Sequence, residues 1–235
     1  MLRPLTDGRP GRASGIMGSM TTPRRTFDER AREWDDDPRK RERAVASAAA
    51  IRERISLPPD AHGLELGCGT GLVSFALQDR FSRIVLADTS AGMLEVLREK
   101  VTAAGLESVF EPRAYDLTTD PLPPDRFDAV YSSMVLHHIP DTRLALMASR
   151  ALMRPGGYLL VADLEAEDGS FHGPDVDVHH GFDADELGRR ALDAGFVEVS
   201  SSRIYGMPKT IDGIDRVFPL FLLVARAPRE TGIDG

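Results

Sequence analysis

The chain has 235 residues, enough for one α/β domain with a full core and too few for two large domains with linkers. Its formal charge of −8 argues against nonspecific nucleic-acid binding, which needs Lys and Arg to neutralise phosphates, and favours a small-molecule partner. Its single cysteine, Cys68, excludes an internal disulfide, and no apolar run reaches the roughly 18 residues of a membrane span.

Residues 1–22 are rich in Arg, Gly, Pro and Ser without apolar periodicity, so they read as a disordered leader, with Met17 and Met20 as alternative starts. They lack the apolar core of a secretion signal, and the protein reads as cytoplasmic. Residues 23–57 read as two helices. Thr26 with Glu29 has the capping-box spacing, and Phe27, Ala31 and Trp34 share one side until Asp37-Pro38 breaks the helix. The second runs from about Arg39 to Ile55, with Ala44, Ala48, Ile51 and Ile55 on its apolar face and the basic run Arg39, Lys40, Arg41 and Arg43 on a solvated one.

Residues 58–228 alternate strand and helix, which predicts a doubly wound, mostly parallel sheet; a short tail, 229–235, follows. Strands are expected near His62–Leu66, Arg83–Asp88, Val109–Asp116, Phe127–Ser132, Tyr158–Asp163, Val197–Tyr205 and Phe218–Ala225. Between them Leu94, Leu97 and Val101 form one core stripe, and Leu144, Met147, Ala148, Ala151 and Leu152 another. Pro155-Gly156-Gly157 predicts a sharp turn ahead of the fifth strand.

The first strand runs into Glu65-Leu66-Gly67-Cys68-Gly69-Thr70-Gly71, a strand-to-helix turn with glycines where a Cβ would obstruct a ligand. Dinucleotide-binding loops space their glycines Gly-x-Gly-x-x-Gly, whereas here the pattern is Gly-x-Gly-x-Gly. Glu65 would repel a pyrophosphate and attract an ammonium group. Cys68 suits a small, tolerated side chain in the turn rather than a nucleophile. Asp88 closes the second strand 21 positions beyond Gly67, where the doubly wound fold sets an acid against ribose hydroxyls.

This stretch, with an apolar strand before it and an acid ending the next, resembles the first motif of the class I S-adenosylmethionine-dependent methyltransferases, small-molecule type. The resemblance covers about Phe27 to Pro228. It implies a Rossmann-like seven-stranded sheet under an N-terminal helical lid, S-adenosylmethionine as cofactor, and methyl transfer to an O, N or S atom of a small molecule. Cofactor contacts are then expected from Glu65, Gly67, Cys68, Gly69, Gly71, Asp88 and Thr89; from Met93 against the adenine; from Asp116 and the Leu117 amide at the adenine edge; and from Ser133 and Met134 at the methionine portion. The Asn/Asp-Pro-Pro-aromatic motif of nucleobase and protein-amide methylating enzymes is absent.

Proton-accepting candidates are His137 and His138 after the fourth strand and His179 and His180 in the polar loop from Glu165 to Phe182, since imidazole titrates near neutrality. Asp163, ending the fifth strand, is placed to orient one of them. That loop also carries His172, Asp175 and Asp177, but no metal-ligand spacing is recognisable and no metal is expected. Three rival readings remain: an NAD-type dinucleotide-dependent oxidoreductase, disfavoured by the glycine spacing and Glu65; a catalytically silent cofactor-binding or protein-interaction module; and an RNA methyltransferase, for which the sequence lacks an evident basic face. The acceptor's identity and the oligomeric state are not written in the sequence.

Overall fold

The structure is a computed structural model that describes residues 23–173 and 176–229. The leader 1–22, Asp175 and all of the 229–235 tail except Arg229 lie outside the described residues. Seven strands form one sheet in the order β3-β2-β1-β4-β5-β7-β6. They are β1 His62–Leu66, β2 Arg83–Asp88, β3 Phe110–Ala114, β4 Phe127–Ser133, β5 Met153–Leu164, β6 Val197–Ile211 and β7 Ile214–Arg226. The first five run parallel, and β7 pairs antiparallel with both β5 and β6. Order reverses between β1 and β4, which opens a crevice at their carboxyl ends, where ligands bind in such sheets.

Apolar residues on both faces of the strands require helices on both sides. One core lies between the sheet and α2 Pro38–Arg54, α3 Leu72–Leu77 and α4 Ala91–Ala104, built from Ile51, Leu77, Leu94, Leu97 and Tyr131 among others. The opposite core lies under α5 Thr142–Ala151 and α6 Ala184–Asp193, with Phe127, Leu146, Leu187 and Phe196. A smaller cluster, Leu164, Met207, Phe218 and Leu220, sits under the β6–β7 hairpin.

Several elements differ from expectation, each for a physical reason. Helix α1 begins at Pro23, so Thr26 lies within it rather than capping it, and the chain then tightens into a 3₁₀ segment, Ala31–Asp36, that carries Trp34. Asp37 caps α2 by accepting from the Arg39 amide. On α2 the apolar face is as expected, but Lys40 and Arg43 are half-buried instead of solvated. On α5 the buried face is Thr142, Ala145, Leu146 and Ser149, while Leu144 and Met147 are exposed. The spacing of the apolar residues was helical, but the side facing the sheet includes two hydroxyls.

Pro155-Gly156-Gly157 does not end a loop but lies inside β5. The register with β4 slips between Phe127↔Met153 and Ala129↔Tyr158, and Gly156 takes φ +74° in that irregularity. Strand β3 stops at Ala114, so Asp116 lies beyond it. Finally, β6 and β7 continue past Gly206 and Pro208 to a tight turn at Asp212–Gly213. β6 is an edge strand, where a proline costs no ladder hydrogen bond on its open side.

Candidate active site

The glycine turn is held from both flanks. Gly67, Gly69 and Gly71 have φ of +60°, +53° and +82°, a region L-side chains seldom adopt. A Cβ on Gly67 would lie 2.5 Å from Val135, which follows β4, and one on Gly71 would lie 2.7 Å from Leu97 of α4. Gly69 differs: the nearest atoms to its missing Cβ are Met93 Sδ and Trp34 Nε1, both 3.9 Å away. Two glycines thus let the backbone pack, and the third leaves a shelf between Met93 and the N-terminal segment.

Asp88 fixes that shelf. Its carboxylate accepts from the Gly69 amide at 2.7 Å and from the Ser90 amide at 2.8 Å, while Ser90 caps α4 by accepting from the Met93 amide. Burial raises the Asp88 pKa, against the pull of those amides. Thr89 beside it is exposed. Cys68 is buried, and burial pushes its thiol far up, which leaves it a neutral space-filler.

Glu65 is placed differently from the sequence expectation. Strand alternation turns it into the core on the α3 side, only 2% exposed, where it accepts from Ser74, whose hydroxyl also meets the Tyr131 hydroxyl at 2.6 Å. Burial raises its pKa to about 8. Its carboxyl therefore ties β1 to α3 beneath the turn and does not front a ligand's ammonium group.

Asp116 accepts from the Thr118 amide at 2.8 Å and hydroxyl at 2.6 Å, closing a local turn. Burial opposes its ionisation, but those hydrogen bonds prevail and its pKa is lowered. Leu117 is buried in the α5-side core. Ser133 meets Ser47 of α2 at 3.1 Å, and Met134 takes φ +61°, a costly conformation for a non-glycine residue and one that clusters at ligand sites.

The N-terminal segment is clasped over this turn by residues that sequence reasoning did not single out for it. Asp35 accepts from Thr70 Oγ1 inside the glycine stretch and from Lys100 Nζ at 2.6 Å, and Lys100 also donates to the Thr70 carbonyl at 2.8 Å. Asp28 accepts from Ser90 Oγ and from the Gly92 amide at 2.9 Å, at the amino end of α4. Phe27 makes edge contacts with Trp34 and with His138, and Lys40 Nζ lies 3.5 Å from the centre of the Trp34 ring. The carboxylate after Trp34 and an acid one turn from Ala31 were the available signals.

The four candidate histidines separate. His137 is buried, with Nδ1 2.6 Å from Asp163 and its backbone amide donating to the same carboxylate. His138 and His172 lie against it, ring centres 4.2 Å and 4.8 Å from that of His137. Burial, then the neighbouring imidazoles, lowers His138 to about 3. Burial, then His137 and Lys209, lowers His172 to about 4. His179 points elsewhere: its Nε2 is spent on the Ile139 and Pro140 carbonyls, and it lines a separate 270 Å³ cavity with Phe182, Glu186 and Arg190. His180 packs against Gly169. Arg43 of α2 is half-buried, and burial lowers its pKa, opposed first by the charge of Asp163.

A sequence model of the family described as "Methyltransferase domain" matches residues 64–161. Among curated relatives, phosphoethanolamine N-methyltransferase 1 of Arabidopsis thaliana is 29% identical over 153 residues, which cover 63% of this chain and 31% of that protein. An uncharacterized methyltransferase of Mycobacterium tuberculosis is 37% identical over 98 residues, 42% of this chain and 48% of that one. The chain thus spans less than half the length of either relative. Among solved structures, the N-methyltransferase NodS of Bradyrhizobium japonicum, in complex with S-adenosyl-L-homocysteine, superposes with a TM-score of 0.66 at 19% identity, covering 87% of this chain and 98% of that chain. With the sheet order and the glycine turn in agreement, the sequence match over residues 64–161 supports a class I S-adenosylmethionine-dependent methyltransferase.

Proposed function

We propose that this protein transfers a methyl group from S-adenosylmethionine to an O, N or S atom of a small molecule. The observation that carries the reading is the Gly69 shelf, bordered by Met93 and Trp34 and fixed from below by Asp88. The chemistry suits an adenosyl group: Gly69 presents bare backbone, Met93 an apolar face, and Asp88 a carboxylate that can take a ribose diol. Gly67, Cys68, Gly71 and Thr89 shape the turn around it, Asp116 and the Leu117 amide serve the adenine edge, and Ser133 and Met134 the methionine end. Glu65 acts indirectly, by holding the strand and helix that carry the turn. When bound, the cofactor supplies an electrophilic sulfonium methyl.

Residues 58–228 form the catalytic domain in this reading, and residues 23–57 a lid. The lid's Trp34 and Phe27 exclude water from the shelf and the histidines, and alignment of the two reactants provides most of the acceleration. Where the acceptor carries a proton, the His137 end of the imidazole cluster receives it. Asp163 holds Nδ1, which leaves the Nε2 lone pair free, whereas His179 is spent on two carbonyls. The acceptor is a small molecule rather than a nucleic acid, in keeping with the charge of −8, and the site of action is the cytoplasm. Among the described residues, no helix is long and apolar enough to cross a membrane.

Titration calorimetry with S-adenosylhomocysteine and with NAD tests the cofactor assignment. Saturable binding of the first and none of the second is expected. The reverse preference would return the site to the oxidoreductases.

A further inference from the structure

His137, His138 and His172 bring ligand-capable nitrogens within 4.8 Å of one another. His137 Nε2, His138 Nδ1 and His172 Nδ1 are all buried without a hydrogen-bond partner among the described residues. Buried polar atoms are ordinarily satisfied, and three that converge call for a common occupant. The three residues thus form one cluster that holds buried, unpartnered imidazole nitrogens.

We infer that His137, His138 and His172 bind one divalent transition-metal ion, of the zinc or cobalt class, with a fourth position open toward the methyl acceptor. Imidazole suits these borderline ions, and three histidines plus one open position is a donor set that catalytic zinc uses. Asp163 completes the arrangement from outside. Its carboxylate on His137 Nδ1, at 2.6 Å, fixes the tautomer that turns Nε2 toward the ion, as the outer carboxylate does in metal-bound histidines.

Ligands at about 2.0–2.1 Å from zinc stand roughly 3.3 Å apart, so the cluster must contract by about 1.5 Å at its widest. His172 can supply that travel, since it lies in the long connection between β5 and α6. With the ion bound, His137 Nε2 is a ligand and no longer the proton acceptor it is in the metal-free site; the acceptor's hydroxyl or amine would take the open position, and the ion would lower its pKa so that its proton leaves to water. The site rests on the proposed function only for what occupies that fourth position.

The test uses the untagged full chain, stripped with a chelator and then titrated with Zn²⁺ by calorimetry and with Co²⁺ by visible absorption. One ion per chain is expected, with affinity falling at least tenfold in His172→Ala and by about 10- to 100-fold in Asp163→Asn. S-adenosylhomocysteine affinity, measured on the same samples, should stay within a few-fold, which shows that the variants are folded. No saturable uptake, or uptake that His172→Ala leaves unchanged, would overturn the inference. Failure of the parent to bind S-adenosylhomocysteine would instead strike the methyltransferase assignment, independently of the metal result.

Discussion

At Glu65, burial and ionisation compete, and the outcome is visible as a pH dependence. The folded-state pKa, about 8, lies above the ordinary carboxyl value of 4.5. Between the two the native state holds a proton that the unfolded state has lost, so the stabilisation present below about pH 4.5 is lost as pH rises through about 8. The melting temperature is therefore expected to fall between about pH 6 and pH 9, and Glu65→Gln, neutral throughout, to flatten that decline. Scanning calorimetry of both proteins across this range decides it, and parallel curves would remove Glu65 from the account. The glycines make a second contrast at this scale. Gly69→Val should abolish S-adenosylhomocysteine binding, because its side chain occupies the shelf, and should also strain the turn at φ +53°, whereas Gly71→Ala should lower the melting temperature chiefly through packing, because its Cβ falls 2.7 Å from Leu97. Asp88→Ala, which deletes a charged hydrogen bond and the tie to the Gly69 amide, should weaken binding by tenfold or more, about 1.5–3 kcal/mol. An unchanged calorimetric affinity would end the ribose assignment. The glycine positions were legible because few side chains tolerate such a turn. The burial of Glu65 was less so, since it depends on α3 covering that face of β1.

Among the elements, the N-terminal segment is the one whose role depends on a few polar contacts. Asp35, Thr70 and Lys100 join it to the glycine turn and to α4, and Asp28 joins it again at Ser90 and Gly92. Asp35→Ala is expected to speed amide hydrogen exchange in residues 27–37 and to weaken S-adenosylhomocysteine binding several-fold, while the strands keep their protection. Unaltered exchange in that segment would show that Trp34 and Phe27 hold it without the clasp. Sequence periodicity located these helices within a few residues but not their inward charges, because a basic run on a helix reads as solvent-facing until the partner surface is known. The same limit explains α5, whose sheet-facing side includes Thr142 and Ser149, and the β6–β7 hairpin, whose edge position made Gly206 and Pro208 tolerable. The histidine cluster was the least legible feature. His137 and His138 adjoin in sequence, but His172 reaches them only by the return of the loop after β5.

For the whole molecule, the alternation of strand and helix was sufficient to anticipate a seven-stranded sheet, and the crevice between β1 and β4 follows from its order. The glycine turn after β1, Asp88 after β2 and Met134 after β4 come together at that end because every parallel strand points its carboxyl end the same way. A fold of this kind accepts many chemistries, so the transfer itself is the point to measure. The direct experiment incubates the purified protein with a small-molecule extract and methyl-deuterated S-adenosylmethionine, and follows products by mass spectrometry. The account predicts a deuteromethylated small molecule together with stoichiometric S-adenosylhomocysteine, both absent with Gly69→Val. Tight cofactor binding with no labelled product from any extract would contradict it and leave a cofactor-binding module without transferase activity.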